Sequence, residues 1–223
     1  MPHETERAFW TAGPWLLEHY AAACNDALED GFFSGLPPVV RAGVDEAPEN
    51  VRRFVEVNAL EWLLADGQLA LGRGKRARKV AAAALVLGPD GPPLEPEHRE
   101  RIVAMAAEPL RLYEVTQVSV DKCLTLRRLL APAEPARHVI EPDVAHGAEV
   151  GDVLGARLLP LDGGQWETSP ALYPLSESLR SLVVADQALI ADREAHAAVT
   201  AWLIDVLSNE RMVKEILRSR LVE

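Results

Sequence analysis

Between Leu112 and Pro170 the hydrophobic period of this chain changes from 3.6 to 2, and that change limits the folds open to it. The stretch reads as one short strand after another: LYEVTQVSV, KCLTLRRLL, RHVIEP, DVLGARLLPL and QWETSP. Leu112, Glu114, Thr116 and Val118 fall on one face of the first run and Tyr113, Val115 and Gln117 on the other, because side chains alternate along a strand. Turn residues stand between the runs at Asp121-Lys122, Ala131-Pro132, His146-Gly147 and Asp162-Gly163-Gly164. Short strands at this spacing predict a small, strongly curved antiparallel barrel.

The sequence on either side is helical. Phe9, Trp10, Leu16, Leu17, Tyr20, Cys24 and Leu28 recur at three- and four-residue spacing, with Gly13-Pro14 as an interruption. Proline is best tolerated in a first helical turn, which predicts a main helix from Pro14 to Asp30-Gly31. The glycines and prolines of residues 32–47 predict a loop, and a second helix is expected from Pro48 to Asp66, closed by Gly67. A third opens at Pro96 and stops before Pro109. Beyond Pro174, three helical stripes run to the end of the sequence, the last being KEILRSRLVE. The fold class expected is α+β: helices over 1–108, a small barrel-like module over 109–174, and helices over 175–223 packed on the N-terminal ones.

Composition narrows the function. With 223 residues and 48% hydrophobic content the chain can bury a real core. No apolar run reaches the roughly 18 residues of a membrane span, and MPHETERAFW lacks the features of a signal peptide, so a soluble cytoplasmic protein without membrane contact is expected. Two distant cysteines, Cys24 and Cys123, form neither a disulfide framework nor a zinc ribbon. The net charge of −11 opposes a surface that coats nucleic acid.

One local feature runs against that charge. Residues 1–72 hold 12 acids and 4 bases, whereas residues 73–79 hold five bases and no acid: Arg73, Lys75, Arg76, Arg78 and Lys79. They are read as opening a helix, where they either bind a phosphate or nucleic acid or pair with the acidic N-terminal region. No phosphate-loop glycine pattern accompanies them. The other cluster with chemical potential is His138, Glu141, Asp143 and His146, imidazoles and carboxylates of the kind that hold a divalent ion. Pro142 is expected to break any helix that would align them, which predicts a polar loop on the barrel rim. Arg127, Arg128 and Arg157 would form a cationic-aromatic surface for single strands if they shared a face with Trp166.

NALEWLLADG (58–67), LYEVTQVSVDKCLTLRRLL (112–130) and VGDVLGARLLPLDGG (150–164) resemble the body of bacterial proteins that often carry a SEC-C zinc motif at one end. The resemblance covers about residues 50–175. The Cys/His-rich SEC-C segment itself is absent, so the resemblance implies no metal site, no cofactor and no activity.

Three functions are open. The first is a non-enzymatic interaction or adaptor protein, with a protein partner or a second copy of itself. The second is a nucleic-acid-associated protein using residues 73–79. The third is a metal-dependent enzyme built on His138, Glu141, Asp143 and His146. No arrangement of residues marks a catalytic nucleophile, and the first reading is favoured.

Overall fold

A computed structural model describes residues 4–72, 78–177, 179–181 and 194–208. The first helix, α1, spans Glu4–Ala27 and carries Pro14 in its interior, so the helix begins ten residues before the expected start. Pro14 cannot donate to the carbonyl of Trp10. Both residues lie on the exposed side of the helix, where that carbonyl is open to water. Non-helical angles at Tyr20 mark a kink, and a π-helical turn follows at Leu28–Phe32.

Two glycines let this segment approach its neighbour closely. A Cβ on Gly13 would come within 2.5 Å of Leu60, and one on Gly31 within 2.1 Å of Trp62. Residues 38–46, expected as loop, form helix α2 (Pro38–Glu46). Pro38 at the first position presets the helical φ, so proline starts this segment where it was read as breaking it. Helix α3 (Glu49–Asp66) follows expectation, and its buried face is wide enough to include Asn58 and Glu61.

Strands β1 (Gln68–Leu71) and β2 (Arg78–Ala81) form an antiparallel hairpin pairing Leu69 with Val80. Arg78 and Lys79 therefore lie on a strand, and helix α4 (Ala82–Val86) begins only after it. Arg73, Lys75 and Arg76 lie outside the described residues. Helix α5 (Pro96–Ala107) leads into the barrel strands β3 (Arg111–Ser119), β4 (Cys123–Arg128), β5 (Arg137–Ile140), β6 (Val153–Pro160) and β7 (Trp166–Leu175). A short helix, α6 (Pro142–Gly147), links β5 to β6, and α7 (Glu194–Ser208) is the last element described. None of the helices described is long and apolar enough to cross a membrane.

The barrel closes in the order β3-β4-β5-β7-β6. Its pairings are antiparallel except β5 with β7, where Val139 lies opposite Trp166. Tyr113, Val115, Leu124, Leu126, Val139, Leu154, Ala156, Leu158 and Leu172 fill the interior, and Ala145 of α6 closes one end. Strand β7 runs five residues beyond Pro170, because Tyr173 and Leu175 turn outward into a second core shared with α2, α3 and α7. There Trp202 meets Phe54 and Tyr173 edge-on, at ring separations of 5.2 and 5.1 Å. Thus α7 packs on the barrel as well as on the N-terminal helices. A third core joins α1, α3, α4 and α5 to Leu159 of β6. The helices cover the outside of β3, β6 and β7, whereas the outer face of β4 and β5 keeps Arg127 and His138 exposed.

Candidate functional site

The barrel arginines are distributed differently from the arrangement that would bind single strands. Arg127 pairs with Glu114 at 2.7 Å, and Arg128 pairs with Glu194 at 3.0 Å and Glu134 at 3.2 Å. Arg157 is buried beneath the helices. The residue that meets Trp166 is Arg137, whose guanidinium carbon lies 4.0 Å from the ring centroid. Strand pairing brings the two together across 29 residues of sequence: Arg137 precedes Val139 by one alternation, and Val139 stands opposite Trp166. Alternation within a single strand gives no sign of that parallel pairing, and Arg137 is missed for that reason.

The imidazole–carboxylate cluster is dispersed. His138 is exposed on β5, and Glu141 accepts a hydrogen bond from the Thr168 hydroxyl at 2.6 Å. His146 Nδ1 lies 2.7 Å from Asp121, across the barrel rim. Pro142 opens α6 where it was expected to prevent a helix, since the first position needs no N–H. Asp143 is exposed in its first turn. No three His, Cys, Asp or Glu side chains among the described residues are grouped as metal ligands. Of the basic cluster, Arg78 and Lys79 are exposed on β2, and neither pairs with a carboxylate among the described residues. Cys24 is a core residue whose thiol is pushed up to about 11 by burial, which leaves it un-ionised near neutrality.

A buried ionic network joins α3 to the barrel. Arg157 projects from β6 where the register against β7 shifts between Ala156 and Leu158. Its Nη1 donates to the Glu108 carbonyl at 2.7 Å and its Nη2 to Asp66. Its Nε lies 2.8 Å from Glu61 Oε1, close enough for strong attraction but not aligned for a hydrogen bond. Ser169 lies beside the same carboxylate. Burial pushes the Glu61 carboxyl above its ordinary value, against the pull of Arg157. Tyr173 is pushed well above the normal phenol range, also by burial, and donates to the Asn58 carbonyl at 3.2 Å. With Glu61 and Arg157 at 0% and 1% exposure, solutes do not reach that pair, and the network fastens helix to barrel with Asp66 at its solvent edge.

Two further buried carboxylates act in the same way. Glu194 at the start of α7 accepts the Leu112 N–H at 2.7 Å and pairs with Arg111 and Arg128. Glu167 of β7 accepts from the Thr5 hydroxyl and lies 3.4 Å from Arg101, which ties α1 and α5 to the barrel.

The surface offers a different feature on α1. Trp10 is 46% exposed and Leu17 38%, with Pro14 also exposed between them. They occupy positions i, i+4 and i+7 of one helix face, apolar and turned away from the core, and Ala21 is exposed just past the kink at Tyr20. A scan of known protein families, a search of curated proteins and a search of solved structures each return no match to the chain.

Proposed function

We propose that this chain is a non-enzymatic interaction protein that pairs with a second copy of itself through the outer face of α1. The observation that carries this reading is the exposed row of Trp10, Pro14, Leu17 and Ala21. Singly exposed apolar residues are ordinary on a protein surface, but a row at helical spacing is a seam of the kind that a facing helix covers.

The row suits its own copy. Antiparallel pairing about a two-fold axis near Trp15 and Leu16 sets each Trp10 over the small Ala21 and Ala22, and each Pro14 against Leu17. The same register places Arg7, the cation of α1, within two positions of Asp26. Kinship with SEC-C-bearing proteins is part of this proposal and brings no activity with it.

Sedimentation over a range of protein concentration tests the reading. A reversible dimer is expected, strengthened by added salt because two chains of net charge −11 repel one another. Trp10→Glu with Leu17→Glu is expected to give monomers with an unchanged circular dichroism spectrum. A wild type that stays monomeric throughout, or a dimer indifferent to both changes, rejects the proposal.

A further inference from the structure

The barrel end where β5 meets β7 carries a second feature, independent of α1. Arg137 is the one arginine on the barrel strands without a carboxylate partner among the described residues. Arg111, Arg127, Arg128 and Arg157 each have one. Its guanidinium instead lies 4.0 Å over Trp166, within cation–π range. The indole is half-buried and packs against the barrel core, so the platform beneath the cation is rigid. The nearby acids are engaged elsewhere, Glu134 with Arg128 and Glu141 with Thr168.

We propose that Arg137 on Trp166 is a contact site for single-stranded nucleic acid. A guanidinium over an indole joins a cationic plane to an aromatic one, surfaces on which an unpaired base stacks, and carries N–H edges that meet a phosphate. A duplex hides its base faces and relies on several phosphate contacts, which a single cation on an acidic chain does not supply. A carboxylate-bearing peptide would use the charge but leave the stacking face empty.

Fluorescence anisotropy with labelled oligo-dT and oligo-U, a duplex of equal length and oligoglutamate as competitor tests the site. Single strands are expected to bind weakly, with log affinity falling by about 0.7 per phosphate contact for each unit of log salt, from one or two contacts. Arg137→Gln is expected to weaken binding roughly tenfold, in line with the loss of one stacked base. Arg137→Lys should weaken it nearly as much, since an ammonium keeps the charge but loses the plane. Arg52→Gln, an exposed change on α3, should have no effect. The proposal is overturned by absence of single-strand binding, by an Arg137→Lys variant that binds like wild type, or by oligoglutamate competing as well as oligo-U. It is overturned too by a steeper salt slope that disappears on changing Arg73, Lys75 and Arg76 to alanine, because binding then belongs to that basic segment.

Discussion

Arg157→Leu removes the cation from a site where Glu61 has no access to water. In the folded protein Arg157 Nε is 2.8 Å from Glu61, while Asp66, at 39% side-chain exposure, can turn to solvent once its partner is gone. The cost therefore falls on Glu61. Breaking a buried pair from one side destabilises by about 3–5 kcal/mol, and for a chain of this size each kcal/mol lowers Tm by roughly 2–4 °C, so a drop on the order of 6–20 °C is expected. The opposite change, Glu61→Gln, leaves Arg157 with Asp66 and the Glu108 carbonyl and should cost less than about 1 kcal/mol near pH 7.

The pH dependence follows from the direction of the Glu61 shift. Its folded-state pKa lies above the ordinary 4.5, so its contribution to stability is fully present below that value and is lost as pH rises through the folded pKa. Glu61→Gln should therefore gain on wild type as pH rises, and the penalty of Arg157→Leu should shrink as pH falls and Glu61 takes up a proton. Urea unfolding followed by circular dichroism between pH 4 and 8 measures both. In the double variant the two costs should not add, because Arg157→Leu no longer strands a charge. Equal penalties for the two single changes, or additivity in the double, would refute the reasoning.

Other expectations concern packing and access. Gly13→Val places a side chain within 2.5 Å of Leu60 and should destabilise by about 1–3 kcal/mol, seen as a lower thermal midpoint, as α1 is forced off α3. Trp202→Ala empties the contact with Phe54 and Tyr173 and should cost about 3–5 kcal/mol in urea titrations. Glu194→Gln weakens the pairing with Arg111 and Arg128 and should raise hydrogen exchange across α7 ahead of the barrel. Cys24, fully buried with its thiol at about 11, should resist alkylation at pH 7 until the protein unfolds, while the half-buried Cys123 reacts first.

Periodicity located what local pattern can determine. The alternation in 112–130 marks β3 and β4, the wide stripe of 51–64 marks α3, and Pro96 marks the start of α5. Most of the differences share one cause, that proline and glycine are helix formers or spacers where their surroundings allow it, whereas Arg78 and Lys79 lie on a strand because β2 pairs with β1. Pro38 and Pro142 each open a helix, and Pro14 is tolerated on an exposed face. Gly13 serves contact with Leu60, information held by another helix. The sites were less legible still. Arg127 and Arg128 form a local pair in the sequence, but their partners Glu114 and Glu194 lie 13 and 66 residues away. Arg137 gained its role from strand pairing to β7, which no window around it contains.

Strand β6 has no side that faces water: Leu154, Ala156 and Leu158 point into the barrel, while Val153, Arg157 and Leu159 point into the helices. The line near residue 108, where helical sequence gives way to strands, is thus not a seam along which the protein divides. A barrel excised there would carry a naked cation and a greasy flank into water, and the helices left behind would carry Glu61 uncovered. Insertions and fusions belong instead at the β4–β5 connection, where residues 132–136 are exposed.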